Sequence, residues 1–340
     1  MRAVTATVDG VKIIDVSPPQ PSTGEALVEM KVAGVCGSDT HAAAGEHPFV
    51  PLPYRPGHEV VGVVLAIADD VTSVAVGDHV TVEPTLSCWE CKMCRTGRSN
   101  ICENLRFFGC GYEQGGMSDQ FTIPAHRLHV LPEGMSDLQA VLIEPLATPV
   151  HAVRLAGGVK GKAVVILGSG TIGLLMLKAV RHDGARRVVM TDPREDKRAR
   201  ALSLGADVVV DSLRSDAVEV IRAELGESAD VVFDCVSIQS TVDQSLSLAF
   251  KGGVVVIVGV PVKPVNIPLP LLQDLQVRLQ GSATYMPEDY ATAIEIITSG
   301  LVAPEDFITA VYPLEEVAEA FASSASGAQV KVVVTTEAPK

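Results

Sequence analysis

AVVILGSGTIG, residues 163–173, joins an apolar β-like run to a G-x-G-x-x-G motif that opens a helical pattern. In this setting the first glycine allows a tight turn, the second lets a pyrophosphate approach the backbone, and the third lets the helix pack closely on the strand. Free N–H groups and the helix dipole hold such an anion. Five residues are therefore candidates for dinucleotide binding: Gly168, Gly170, Thr171, Ile172 and Gly173.

An acidic residue ends the next β-like run at the distance typical of this motif. Asp192 lies 24 positions after Gly168. A carboxylate there accepts hydrogen bonds from ribose hydroxyls and repels a 2′-phosphate, so NAD is favoured over NADP. Arg194 argues the other way, because a nearby arginine can receive a 2′-phosphate. The purely structural alternative is a glycine turn followed by a helix cap at Asp192-Pro193.

Residues 151–283 repeat the pattern of an apolar run followed by a helical segment. Six runs rich in Val and Ile are typical of parallel strands covered on both faces: 163–167, 187–191, 207–210, 230–234, 254–258 and 277–280. Residues 171–182 show helical spacing of their apolar side chains. The alternation predicts an α/β domain with a doubly wound, six-stranded parallel sheet.

Residues 1–150 are rich in Gly and Pro and contain short β-like runs such as 60–68 and 79–83. Turns recur too often for long helices, so a compact β-rich domain is expected. After Gly281, helical segments at 288–299 and 314–323 and a strand at 330–334 remain. This tail is expected to pack on the first domain. The predicted domains are 1–150 with 284–340, and a nucleotide-binding domain of 151–283.

Composition restricts the partners and the compartment. The chain has 340 residues and a formal net charge of -14, without a Lys/Arg stripe, which argues against nucleic acid and anionic membranes. No apolar signal segment or membrane-length run is present, so a cytoplasmic location is expected. In that context the seven cysteines, an odd number, favour metal ligands or buried thiols over disulfides.

Two groups of residues have the chemistry of metal ligands. Four thiols with the spacing C-x2-C-x2-C-x7-C can close a tetrahedral shell on structural zinc: Cys88, Cys91, Cys94 and Cys102. An iron–sulfur cluster is the alternative for such a set. The second group is mixed and leaves room for water or substrate, as catalytic zinc requires: Cys36, His58, Glu59 and Glu144.

In this order, the motifs resemble those of the zinc-containing medium-chain dehydrogenase family, which includes alcohol, sorbitol and threonine dehydrogenases. The motifs are GVCGSD at 34–39, GHE at 57–59, VGDHV at 76–80, the four-cysteine segment, EPL at 144–146 and the glycine motif. The resemblance implies a GroES-like β-barrel catalytic domain completed by the tail, an inserted Rossmann domain, and an active site in the cleft. It also implies two zinc ions per chain.

Roles follow from the resemblance position by position. Cys36 and His58 match zinc ligands, and Glu59 matches a residue that is a direct ligand in some members only. Glu144 falls where alcohol dehydrogenases have a cysteine ligand and where polyol and threonine dehydrogenases have glutamate. Ser38 matches the hydroxyl that receives the substrate proton, and His41 matches the relay that passes it to solvent.

The remaining candidates concern the cofactor and the substrate. The resemblance places Lys197 at the adenosine ribose. Val258 and Val260, at the end of the fifth predicted strand, are candidates to offer backbone groups to the carboxamide. Phe108 and Tyr285 are candidates for the substrate pocket.

The expected reaction is NAD-dependent oxidation of a secondary alcohol, with a polyol, sugar alcohol or sugar acid as substrate. L-threonine 3-dehydrogenase is the nearest alternative, and Glu144 disfavours a primary-alcohol dehydrogenase. A non-catalytic protein that binds zinc and a nucleotide is the alternative of another class. The predicted last strand, 277–280, should lie at a sheet edge, where relatives pair subunits, so a homodimer or homotetramer is expected.

Overall fold

The computed structural model describes residues 1–337, so the last three residues of the predicted segment 284–340 lie outside the described part. The chain divides into two compact units. The first contains Met1–Pro145 and Met286–Lys340, and the second contains Leu146–Tyr285.

The strands, in chain order, are β1 (Arg2–Thr7), β2 (Gly10–Asp15), β3 (Glu25–Val35), β4 (Glu59–Ile67), β5 (His79–Val82), β6 (Thr85–Leu86), β7 (Arg106–Phe107), β8 (Gln120–Pro124), β9 (Leu128–Val130), β10 (Ala163–Leu167), β11 (Arg187–Thr191), β12 (Val208–Val210), β13 (Ala229–Asp234), β14 (Ala249–Ile257), β15 (Arg278–Gly281), β16 (Ile308–Pro313) and β17 (Lys331–Thr335).

The α-helices are α1 (Gly37–Ala43), α2 (Lys92–Arg95), α3 (Asp137–Ala140), α4 (Ile143–Leu155), α5 (Thr171–His182), α6 (Glu195–Ser203), α7 (Ala217–Leu225), α8 (Gln239–Leu248), α9 (Leu269–Leu275), α10 (Pro287–Thr298), α11 (Pro304–Phe307) and α12 (Val317–Ala325). Short 3₁₀ turns cover Ser99–Ile101, Ala125–Arg127 and Leu314–Glu316. Within residues 1–337 no helix combines the length and the apolar character needed to cross a membrane.

The first unit is built on a seven-stranded sheet in which β3 is the most connected strand. The order is β16-β17-β3-β4-β5-β9, and β8 also pairs with β3. Its core is apolar and includes Val28 and Met30 of β3, Phe121 of β8 and Val334 of β17. The tail therefore belongs to this sheet, since β17 pairs antiparallel with β3. Strand β16, with the sequence ITAVYP, was not predicted; it pairs parallel with β17.

The second unit is a six-stranded parallel sheet in the order β12-β11-β10-β13-β14-β15, with helices along the chain between most strands. The predicted doubly wound α/β sheet is confirmed. Three predicted ranges, 163–167, 187–191 and 171–182, coincide with β10, β11 and α5. Strand β14 begins at Ala249, five residues earlier than predicted, because pairing with β13 continues across a register shift.

Gly173 decides how closely α5 packs against the turn after β10. A Cβ atom at this position would lie 2.0 Å from the carbonyl oxygen of Gly168, which is backbone and cannot rotate away. The third glycine of the motif is therefore required by packing, as predicted from the sequence.

Gly173→Ala should lower the thermal unfolding midpoint, because forcing a methyl group into this contact costs about 1–3 kcal/mol. Gly281→Ala is the control in the same unit, since Gly281 ends β15 and a Cβ there has no neighbour within 4 Å. Circular dichroism melts of the two variants and the wild type make the comparison. Equal midpoints for all three proteins would contradict the packing role.

Candidate active site and metal centres

The mixed ligand group forms where β3 ends and β4 begins. Cys36 follows β3 directly and is the N-cap of α1, while His58 and Glu59 stand at the start of β4. A sulfur, a ring nitrogen and a carboxylate oxygen from these three residues lie within 4.8 Å of one another. The arrangement depends on Gly57, which has φ +109° and whose Cβ would lie 2.2 Å from the Met117 backbone nitrogen.

Two observations show that this group suits a cation. The Nδ1 atom of His58 is buried and has no hydrogen-bond partner within the described chain, and such an orphaned atom is costly unless a ligand engages it. Burial lowers the pKa of the imidazole, but the Asp39 carboxylate and the Cys36 sulfur outweigh this effect and raise the pKa well above its usual value. The groups around His58 thus produce a negative electrostatic potential at the imidazole. The donor set fits zinc.

Glu144 lies in the first turn of α4 and is buried. Its carboxylate is outside the three-residue group defined above, although its charge contributes to the field that acts on His58. Of the two glutamates predicted as ligands, the structure therefore brings Glu59 into the cluster and leaves Glu144 near it.

The sequence analysis missed two buried residues beside the cluster. The Asp39 carboxylate accepts the Cys36 N–H at 3.1 Å through Oδ2 and lies 3.7 Å from His58 Nδ1 through Oδ1. The spacing from Cys36 to Asp39 is that of a helix capping box, which could have indicated it. Lys331, on β17, donates to both carboxylate oxygens of Glu59 at 2.6 and 2.7 Å. Local sequence gives no signal for this second contact.

Ser38 and His41 both lie on α1, immediately after Cys36. Residues three positions apart on a helix share a face, so these two side chains are neighbours on one side of α1. Ser38 is half-buried and His41 is exposed. This order from interior to surface suits a path for a proton.

The four remaining predicted ligands form a compact sulfur cluster. Their Sγ atoms lie within 4.8 Å of one another, with 3.4 Å between Cys102 and Cys88 and 3.9 Å between Cys102 and Cys91. Zinc bonded to sulfur at about 2.3 Å in a tetrahedron requires sulfur–sulfur distances of about 3.8 Å. All seven cysteines of the chain are free thiols, so the cluster fits a closed metal site.

Backbone N–H groups prepare two of these four sulfurs to bind as thiolates, whereas desolvation and the neighbouring Cys91 raise the pKa of Cys94 to about 12. The N–H groups of Glu90 and Cys91 lower the pKa of Cys88 to about 6. Donation from Cys94 and Glu103 likewise lowers the pKa of Cys91. A thiolate is the form that binds a metal.

The glycine motif stands at the carboxyl end of β10. Gly168 has φ +97°, and α5 begins three residues later at Thr171. Gly170 is the N-cap of α5, and both Thr171 and Ile172 are half-buried at its first turn. The predicted dinucleotide residues therefore form one strand–turn–helix unit with its N–H groups at a helix N-terminus.

Asp192 follows β11, the strand next to β10. Its carboxylate accepts the Ser169 N–H through Oδ2 and the Arg194 N–H through Oδ1, both at 3.0 Å. The acid is thereby fixed against the glycine turn. The Arg194 guanidinium instead makes a double contact with Asp196, from Nε to Oδ1 at 3.0 Å and from Nη2 to Oδ2 at 2.8 Å. Lys197 lies half-buried on α6.

The other candidates are more scattered. Val258 is buried just beyond β14, and Val260 is exposed two residues later. Tyr285, the last residue of the second unit, is buried.

Phe108 is placed differently from the prediction. Its side chain is fully buried in the apolar core, with its ring 5.1 Å from the ring of Phe121, so it cannot contact a substrate. The neighbouring Phe107 is half-buried, and its ring lies edge-on to His58 at 5.6 Å. Successive residues point to opposite sides, and the sequence alone did not show which of the two faces the ligand group.

Family models match both parts of the chain. Residues 22–133 match the alcohol dehydrogenase GroES-like domain, and residues 171–299 match the zinc-binding dehydrogenase model. The predicted GroES-like and Rossmann architecture is confirmed. The family match supports the prediction of zinc as a metal of this protein.

Characterised relatives extend over nearly the whole chain. A sorbitol dehydrogenase of Arabidopsis thaliana is 32% identical over 338 residues, covering 95% of this chain and 93% of that one. An L-idonate 5-dehydrogenase of Vitis vinifera is 31% identical and covers 94% and 90%. A structure described as a zinc-binding dehydrogenase of Sinorhizobium meliloti 1021, bound to NADP, has a TM-score of 0.92 at 32% identity and covers 98% of each chain. The chain therefore belongs to the zinc-containing medium-chain alcohol dehydrogenase family and is an oxidoreductase.

Proposed function

We propose that the protein oxidises a secondary hydroxyl group of a polyol or sugar-derived compound, with NAD as the hydride acceptor. The observation that carries this proposal is the group of Cys36, His58 and Glu59, three different donor atoms within 4.8 Å of one another. Such a set binds zinc and leaves a position for substrate, whereas four thiolates do not. The relatives named for sorbitol and L-idonate support the substrate class.

In this proposal, Cys36, His58 and Glu59 would hold a zinc ion, which would supply the Lewis acidity that lowers the pKa of an alcohol oxygen. The chain's own residues handle the proton. Ser38 receives it at its hydroxyl oxygen, and His41 passes it to solvent from the exposed end of α1. Asp39 holds the Cys36 N–H and so fixes the start of that helix relative to the sulfur.

The cysteine cluster has a separate role in this proposal. Cys88, Cys91, Cys94 and Cys102 hold a second zinc ion that stabilises their own segment and takes no part in turnover. Trp89, the only tryptophan of the chain, lies within the segment and places its ring 5.1 Å from the Arg127 guanidinium carbon. Its fluorescence can therefore report on this segment alone.

The preference for NAD over NADP rests on two carboxylates. Asp192 is held against the glycine turn, where it can accept from ribose hydroxyls and repel a 2′-phosphate. Asp196 engages the Arg194 guanidinium, the group that would otherwise attract that phosphate. Lys197, with the backbone at Val258 and Val260, completes the proposed cofactor site.

The proposed substrate class, a vicinal diol, rests on two glutamate carboxylates at the site. The carboxylates of Glu59, in the cluster, and Glu144, beside it, can accept a hydrogen bond from the second hydroxyl of a vicinal diol. A simple alcohol has no second hydroxyl to donate. Phe107 replaces Phe108 as the aromatic residue next to the reacting group.

Assembly and location remain predictions. Strand β15 lies at one end of its sheet, and one of its edges has no strand partner within residues 1–337. We propose that this edge pairs with the same strand of a second copy, giving a homodimer or a homotetramer. A cytoplasmic location likewise stays a prediction.

Metal content tests the two sites separately. Elemental analysis should find two zinc ions per chain, and a mild chelator should remove one of them, abolishing turnover while Trp89 fluorescence stays unchanged. Cys36→Ser should lose that same ion and reduce kcat by about a hundredfold or more, because zinc contributes several kcal/mol. Cys94→Ser is the complementary variant and should shift Trp89 emission. Loss of activity that tracks only the Trp89 signal would contradict this assignment.

Cofactor choice tests the two carboxylates. Asp192→Ser should lower kcat/KM for NAD by about ten- to a hundredfold, since hydrogen bonds to a charged group contribute about 1.5–3 kcal/mol.

Asp196→Ala should free Arg194 and raise kcat/KM for NADP by up to about fivefold, the range of an exposed ion pair. Asp216→Ala is the control, because Arg214 and Asp216 repeat the same double contact just before α7. A wild-type preference for NADP would show that Arg194 outweighs Asp192.

A substrate panel decides between polyols and threonine. We expect kcat/KM for at least one of sorbitol, xylitol and L-idonate to exceed the values for L-threonine and ethanol by about tenfold, because a missing polar contact costs at least that much. Glu144→Gln should reduce the advantage of the polyols. A value for L-threonine or ethanol as high as for every polyol would end the polyol proposal.

A further inference from the structure

Lys331 is a buried cation placed against the candidate catalytic metal site. Only 3% of its surface is exposed, and its Nζ donates to Glu59 Oε1 at 2.6 Å, Glu59 Oε2 at 2.7 Å and the Val35 carbonyl oxygen at 3.4 Å. Lysine is almost never buried unless its charge is paired. All three ammonium hydrogens thus have an acceptor, and both Glu59 oxygens have the same cationic partner.

Backbone pairing brings these groups together. Strand β3 lies between β17 and β4, with Val35 opposite Val332 and Gly34 opposite Glu59. Lys331 directly precedes Val332, so it reaches across the end of β3 towards Glu59. Three adjacent strands therefore define the contact, and no flexible loop is involved.

Gly34 provides the space for the carboxylate. A Cβ atom at Gly34 would lie 1.9 Å from Glu59 Oε2, so any other residue at this position would displace the Glu59 side chain. The carboxylate lies over the glycine and meets the ammonium there. The missing side chain of Gly34 thus leaves the space that the Glu59 carboxylate occupies next to Cys36 and His58.

The charge of Lys331 is paired in this position, because its ammonium group donates to both oxygens of one buried carboxylate. The ammonium therefore competes with a bound metal for the electron pairs of Glu59, and hydrogen bonds between charged groups are the strong ones.

We infer that Lys331 is a positioning residue that keeps Glu59 from binding the zinc through both carboxylate oxygens and so keeps one coordination position open for the substrate. The inference rests on the proposed zinc site. Within residues 1–337, Lys331 is the only cation that forms an ion pair with Glu59, so its removal would leave the metal as the partner of the buried carboxylate. The carboxylate would then bind the zinc through both oxygens and, with Cys36 and His58, occupy all four positions, as in zinc sites that are closed to substrate.

The test replaces the exchangeable zinc with Co²⁺, whose visible spectrum reports its ligands, and titrates imidazole as a small ligand for the open position. Lys331→Met should change the cobalt spectrum, retain metal at least as tightly as the wild type in chelator competition, and weaken imidazole binding at least tenfold. Lys331→Arg, which keeps the charge, should preserve the imidazole response. Lys178→Met is the control for loss of a buried lysine, since Lys178 lies on α5 in the other unit.

A double variant identifies the route of the effect. Lys331→Met combined with Glu59→Gln removes both charges, so the amide no longer competes for the metal and imidazole binding should return. This variant also covers the case in which Lys331→Met alone does not fold. An unchanged cobalt spectrum and imidazole affinity in Lys331→Met, or no recovery in the double variant, overturns the inference. Failure of the wild type itself to bind exchangeable cobalt would instead refute the proposed zinc site.

Discussion

The hydrogen bonding of strand β3 is the constraint on which the first unit depends. This strand pairs with β8 over Glu25–Glu29, with β4 over Ala26–Gly34, and with β17 over Val32–Val35. Backbone groups buried in a sheet must be paired, so these registers cannot slip without losing several bonds. Cys36 is the next residue, and its position relative to β4 and β17 is therefore set by the ladder and not by a flexible loop.

The same constraint concentrates acidic groups where little water can reach them. Asp39 and Glu59 are fully buried, and Glu144 is nearly so. Buried charges are tolerated only when they are paired, hydrogen-bonded or bound to a metal. The protein uses the first two means directly: Glu59 is paired with Lys331, and Asp39 accepts a backbone N–H. The burial of three carboxylates near the end of β3 therefore favours a divalent cation at this site, in addition to the effect of the ligand residues themselves.

Features encoded within a few residues could be predicted from the sequence, and contacts across strands could not. β10, the glycine turn and α5 follow from local spacing, and the cysteine segment follows from its own short repeat. Lys331 and Glu59 meet because β17 and β4 flank β3, and neither run reveals that pairing. Phe107 and Phe108 were confused for a related reason: composition cannot tell which of two neighbouring aromatic residues faces the core. Strand β16 was missed because it depends on β17 for its pairing.

The contact between Lys331 and Glu59 joins positions 272 residues apart, and the whole second unit lies between them in the chain. A ribosome synthesising this chain would release β3 and β4 long before β17 exists, with the edge of β3 still open and Glu59 still without its lysine. The runs of the second unit pair with one another and need nothing from β17. The nucleotide-binding half can therefore mature during translation, whereas the metal-binding half must wait. Zinc that arrives early would meet a nascent chain in which Glu59 is free to bind it.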